Sequence, residues 1–245
     1  MSLEAMRKSL DGKRAIVTGA SSGMGWATVK ALSAEGVSVM ATARRTDRLQ
    51  ALQLEVAKAG GRCAYFAGDA SEPETAAAVV AAAVEDFGGV DILINNAGQG
   101  NYKSLVDTSI EEYDELMGSN MRSSFLFTRA VAPRFIAQRS GILLFVSSVA
   151  GLAGAANESV YSASKFAQIG FAQSLDHELR PHGVKVSALC PGGMKTEFAV
   201  GRGRAAESVE TSHMMDAAEV ADTIVFACMQ PANIRLPLMT VRHMG

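Results

Sequence analysis

Short runs of apolar, often β-branched residues recur along the chain, each followed by a longer segment whose apolar positions return every three or four residues. Runs of the first kind suit strands buried on both faces, and segments of the second kind suit helices that cover them. Residues 14–18 (RAIVT) predict the first strand and 23–35 a helix; 37–43 predict a strand and 46–60 a helix stopped by Gly60 and Gly61. Residues 62–68 predict the third strand, and Ser71 with Glu74, with Pro73 in the first turn, predicts a capped helix to about residue 87. The fourth strand and its exit loop fall at 91–98, and Ser109 with Glu112 repeats the capping pattern before a long helix to about Arg139. A fifth strand at 141–148, a helix at 160–180, a sixth strand at 184–192, a helix at 217–229 capped by Asp216 and a short strand at 238–241 complete the pattern. Strands alternating with covering helices imply an α/β fold: a doubly wound parallel sheet of about seven strands with helices on both faces. No linker, repeat or shift in composition interrupts residues 1–245, so a single domain is expected.

Composition adds mainly exclusions. With 245 residues, 48% of them hydrophobic, the chain can bury a large core. A formal net charge of −2 and a pI near 6.1 supply no basic field for nucleic acid or an anionic membrane. The odd set Cys63, Cys190 and Cys228, widely spaced, suits neither a disulfide framework nor a metal site, and fits a reducing, cytoplasmic setting. No apolar run has the length of a signal peptide or a membrane span.

The stretch TGASSGMG, residues 18–25, falls where the first strand turns into the first helix. Free N–H groups and the positive dipole end make a helix N-terminus an anion site, and glycine lets a phosphate reach the backbone. The spacing of Gly19, Gly23 and Gly25 is not the common G-x-G-x-x-G, and by itself it leaves a plain turn as an open reading. Four further constellations fall on the same predicted sheet edge, where open α/β sheets bind ligands. They are NNAG at 95–98, Ser148 in VSSVAG, Tyr161 and Lys165 one helical turn apart in YSASK, and CPGGMKT at 190–196.

From about residue 12 to residue 242 these motifs, in this order and with Asn120 in the long helix, resemble the single-domain branch of the short-chain dehydrogenase/reductase family, with its Rossmann-like sheet. The resemblance implies a catalytic set of Asn120, Ser148, Tyr161 and Lys165. It places a nicotinamide cofactor against Gly19, Ser21, Ser22, Gly23, Met24 and Gly25, with Asp69 and Ala70 near the adenine and Asn96, Ala97 and Gly98 beside the adenosine. Pro191, Gly192, Met194 and Thr196 fall at the nicotinamide end. Met24 and Trp26 depart from the family's usual residues, and Trp26 suits packing or a subunit contact.

Chemistry supports the same roles. Carbonyl reduction needs hydride at carbon and a proton at oxygen, and a nicotinamide supplies only the hydride. Tyr161 would give the proton, Lys165 would lower the phenol from its ordinary pKa near 10, and Ser148 would donate to the substrate oxygen. By the resemblance Lys165 also holds the ribose hydroxyls and joins a proton relay to Asn120. None of His177, His182, His213 and His243 lies in a motif that marks a catalytic base, and no metal site is expected.

Ala43 stands at the end of the second strand, where an NAD-preferring site carries a carboxylate, and Arg44 follows it. NADP(H) is therefore expected over NAD(H), with Arg44 on the 2′-phosphate and Arg45 either helping or facing solvent. Residues 194–215 fall where the family builds its substrate loop; Gly201 and Gly203 would make it mobile, and Arg202 and Arg204 could meet a carboxylate or be solvated. The substrate is expected to be a small carbonyl or alcohol, a small hydroxy acid being favoured over a 3-oxoacyl thioester of acyl carrier protein. A cofactor-binding regulator without turnover, or a sugar-nucleotide epimerase, fits less well, since both Tyr161 and Lys165 are kept and no added substrate domain is present. A homotetramer or homodimer is expected.

Overall fold

The structure is a computed structural model that describes residues 9–210 and 212–244, so the predicted substrate loop is described apart from Thr211. Strand propensity and burial place β1 at Arg14–Thr18, β2 at Ser38–Ala43, β3 at Arg62–Ala67, β4 at Ile92–Asn95, β5 at Gly141–Val146, β6 at Val184–Pro191 and β7 at Leu238–Val241. Every neighbouring pair is parallel, in the order β3-β2-β1-β4-β5-β6-β7. The order reverses between β1 and β4, the position at which a doubly wound sheet opens a crevice beyond its strand ends.

Alternating strand residues feed two cores. Ala15, Val17, Ile92, Ile94 and Leu144 pack on one side against α1 (Gly23–Ala34), α2 (Thr46–Lys58) and the helix Ala217–Cys228. Ile16, Leu93, Leu143 and Phe145 pack on the other against α3 (Pro73–Phe87) and the helices Ser123–Gln138 and Ser159–Leu179. This period-two division explains why the strands read as continuous apolar runs.

Two local expectations differ from the structure. Ser71 does not cap α3: its backbone N–H and hydroxyl both donate to Asp69 Oδ1, at 2.9 and 2.7 Å, and Glu72 takes the N-cap position ahead of Pro73. A hydroxyl beside a carboxylate two residues back finds a charged acceptor there, a stronger partner than a backbone amide offers. The long helix is α4 (Ile110–Met117), a π-helical segment Gly118–Arg122 and α5 (Ser123–Gln138). The capping box of Ser109 and Glu112 forms as expected. After α6 (Ser159–Leu179) and β6, the loop carries a short α7 (Ala206–Glu210), and α8 (Ala217–Cys228) precedes β7.

Candidate active site

The glycine-rich turn is shaped by contact with β4. Thr18 Oγ1 accepts from the amides of Asn96 and Ala97 at 3.0 and 2.9 Å, and Asn96 Nδ2 donates to the carbonyls of Thr18 and Gly19 at 2.8 and 3.2 Å. Asn96 therefore clamps the turn against the exit of β4, besides lining the cavity beside it. A Cβ on Gly25 would collide with the Gly19 carbonyl and Asn96 Nδ2, and Gly19 has φ of +67°, so both positions require glycine for close approach and turn geometry. The first turn of α1 carries no acidic side chain, which leaves its amide end open to an anion.

A cavity of about 670 Å³ runs from this turn to the ends of β5 and β6. Gly19, Ser22, Gly23, Met24, Gly25, Arg44, Arg45, Asn96 and Gly98 line it toward the turn, and Ser148, Tyr161, Lys165, Pro191, Gly192, Met194 and Thr196 line it beyond. Ser21, Asp69, Ala70 and Ala97 are not among the residues that line it. Burial acts to raise the Asp69 pKa, but the hydrogen bonds from Ser71 and the charge of Arg44 outweigh it and hold the carboxylate below its ordinary value.

Tyr161 and Lys165 come from the first two turns of α6 and are both almost fully buried. The Tyr161 ring packs against Tyr102 and Phe198, with centroids 5.9 and 5.8 Å away. Burial pushes its phenol far above the ordinary tyrosine value, and a hydrogen bond with the Ser148 side chain offsets part of this. Lys165 Nζ lies 5.8 Å from the Tyr161 ring centroid and donates to the Val146 carbonyl at 2.9 Å and Gln168 Oε1 at 3.0 Å. The expected lowering of the Tyr161 pKa by Lys165 is not realised in this arrangement, because the ammonium is turned to neutral acceptors on β5 and α6. Burial instead pulls Lys165 down to about 7.

Asn120 lies in the π-helical segment and is fully buried. Its Oδ1 accepts from Gln99 N at 2.7 Å, and its Nδ2 donates to Gln99 O at 3.0 Å and Ser164 Oγ at 2.8 Å. Gln168, which the sequence reading missed, donates from Nε2 to the Asn120 carbonyl and to Ser124 Oγ, each at 2.9 Å. A continuous polar chain thus runs from Lys165 through Gln168 to Asn120. The available signal was a glutamine three residues after Lys165, on the same buried helix face.

The sequence profile described as short chain dehydrogenase matches residues 13–207. The chain belongs to this family. An uncharacterized oxidoreductase of Staphylococcus aureus is 30% identical over 233 residues, which cover 95% of this chain and 98% of that one. A Staphylococcus epidermidis oxidoreductase is 30% identical over 230 residues, covering 94% and 96%. Among solved structures, a metagenomic short-chain oxidoreductase in complex with NADP is 32% identical, with a TM-score of 0.84 over 97% of this chain and 99% of that one. An alcohol dehydrogenase from the archaeon Thermococcus sibiricus, complexed with 5-hydroxy-NADP, is 26% identical with a TM-score of 0.86, covering 95% and 97%.

The protein is thus a short-chain dehydrogenase, an oxidoreductase of a family that binds a nicotinamide cofactor. In this short-chain dehydrogenase the chemistry of the lining fits such a group: open helix amides, small residues and two arginines at one end, a buried phenol and hydroxyl at the other. Arg45, although exposed, is engaged. Its guanidinium donates to Ser21 Oγ at 3.1 and 3.0 Å and pairs with Glu197, just after Thr196, at 3.1 Å. No helix among the described residues is long and apolar enough to cross a membrane.

Proposed function

We propose that the chain is an NADP(H)-dependent oxidoreductase that interconverts a carbonyl and a secondary or primary alcohol, with a small hydroxy acid as the favoured substrate. The observation that carries this reading is the gathering of Ser148, Tyr161 and Lys165 at one end of a cavity whose other end is the glycine-rich turn. When bound, a nicotinamide supplies or takes up the hydride. Gly19, Ser22, Gly23 and Gly25 would hold its phosphates on the α1 amides, with Arg44 and Arg45 toward a 2′-phosphate. Ala43 in place of a carboxylate, and the NADP bound in the metagenomic relative, favour that choice.

In the direction of reduction Ser148 donates a hydrogen bond to the substrate oxygen and Tyr161 passes its proton to that oxygen as negative charge develops there. Burial raises the Tyr161 pKa, which weakens the phenol as an acid; the hydrogen bond with Ser148 offsets part of that. Lys165, held by Gln168 and Val146 one helical turn from Tyr161, would hold the ribose hydroxyls of the bound cofactor.

Following reduced-cofactor absorbance with a panel of hydroxy acids, aldehydes, ketones and acetoacetyl thioesters tests the reading. Turnover with NADPH is expected. Tyr161→Phe should abolish it while leaving cofactor affinity within a few-fold. Activity retained above about a tenth of the wild type would remove Tyr161 from the acid's role, since positioned proton transfer contributes roughly a hundredfold or more.

A further inference from the structure

The loop after β6 treats its two arginines differently. Arg202 forms a two-point ion pair with Glu115 on α4, at 3.1 and 3.0 Å. Arg204 has no carboxylate within 4.0 Å among the described residues, and its guanidinium faces the cavity wall: Nη1 donates to the Phe198 carbonyl at 3.3 Å and Nη2 to Met214 Sδ at 3.4 Å, both weak neutral partners. Its Cζ stands 5.9 Å from the Tyr102 ring centroid, and the same ring packs on Tyr161.

A tight turn sets this placement. Ala199, Gly201 and Gly203 take φ of +61°, +78° and +97°, and the Arg204 amide closes the turn on the Ala199 carbonyl at 3.2 Å. A Cβ on Gly203 would strike the Tyr102 backbone, and the Tyr102 amide donates to the Arg202 carbonyl at 3.0 Å. Gly203 thus packs directly on Tyr102, while Gly201 supplies a left-handed turn position with open space around it. A left-handed alanine is costly unless the surroundings impose it, and here both arginines line the cavity, Arg202 held on Glu115 and Arg204 on neutral partners.

We infer that Arg204 is the specificity-determining residue of this site, binding the carboxylate of a short hydroxy acid or oxo acid whose reacting oxygen lies at Ser148 and Tyr161. This rests on the oxidoreductase reading above and goes beyond it by naming the group that selects the substrate. A guanidinium with only neutral partners in a half-buried cavity has donors left for a planar anion and matches a carboxylate at two points. Glu158, at the N-cap of α6, lines the same cavity and is the carboxylate whose charge interaction with Arg204 is felt. A role for Arg204 as mere counter-ion to Glu158 is therefore the rival account.

The test compares hydroxybutanoate with its methyl ester in the wild type, Arg204→Gln and Arg202→Gln, by kcat/KM with NADP and by calorimetric binding to the NADP complex. The acid should be preferred by the wild type, and Arg204→Gln should lower its kcat/KM and affinity about ten- to a hundredfold, as loss of a charge-assisted pair does, while the ester is little changed. Arg202→Gln should keep the acid-to-ester ratio. A wild type that binds and turns over the ester as well as the acid, or an unchanged ratio in Arg204→Gln, overturns the assignment and leaves Arg204 as the Glu158 counter-ion. Acid that binds through Arg204 without any turnover would uphold the anchor and refute the oxidoreductase reading instead.

Discussion

Gln168 shows how one buried side chain organises a site. It is fully buried, its amide group bonds Lys165, Asn120 and Ser124 at once, and its loss would take one buried hydrogen bond from each. Each such bond contributes about 0.5–1.5 kcal/mol, more where one partner is charged, so Gln168→Leu should lower Tm by several degrees. The cost should depend on pH. Lys165, pulled down to about 7 in the folded chain, is protonated in the unfolded chain up to its ordinary value, so the unfolded state binds the extra proton between the two. Stability from this group therefore rises with pH above about 7, and losing the Gln168 acceptor penalises the ammonium most. The Tm deficit of the variant should be larger near about pH 6 than near about pH 9 in calorimetry; an equal deficit at both would show that Gln168 does not hold the Lys165 charge. Arg44 poses a separate question of cofactor choice. It lines the cavity at the end of β2 beside Ala43. A charge-assisted hydrogen bond contributes about 1.5–3 kcal/mol, so NADPH should be favoured about ten- to a hundredfold in kcat/KM, and Arg44→Ala should erase most of that. Equal kcat/KM with NADH in the wild type would refute the preference.

Among the elements, the loop that begins at β6 is tied to the opposite end of the site. Glu197 pairs with Arg45, whose guanidinium also bonds Ser21 in the glycine-rich turn. A 2′-phosphate drawn to Arg45 would compete with this carboxylate. Glu197→Gln should then tighten NADPH binding, by roughly the few-fold that an exposed pair of up to about 1 kcal/mol allows, and leave NADH unchanged. Titration of both cofactors decides it: a parallel change for the two would place Glu197 outside phosphate recognition. The elements were largely legible beforehand. All seven strands fall within the expected segments; in the five central ones residues buried on both faces leave a nearly uninterrupted apolar run. The cap at Ser109 was legible because its partner is three residues away; the one read at Ser71 failed because Asp69 competed for the same hydroxyl.

The whole molecule leaves apolar surface uncovered. Leu105, Val106 and Ile110 are 70%, 91% and 76% exposed, and Phe125 on α5 and Phe166 on α6 are also exposed. A self-complementary face on these helices would account for them. A tetramer or dimer is expected by light scattering, and replacing Phe125 and Phe166 with glutamate should reduce it to smaller species; a monomeric wild type at micromolar concentration would contradict this.

Sequence alone determined what short-range physics encodes: periodicity, turns and the motifs that pointed to the sheet edge at which the site forms. Tertiary structure decided the partners. Arg45 meets Glu197 across 152 positions and Arg202 meets Glu115 across 87, while Lys165 turns to Val146, 19 positions back, rather than to Tyr161. A charged side chain takes the acceptor that packing brings within about 3 Å, and at such separations local pattern carries no information about which acceptor that will be.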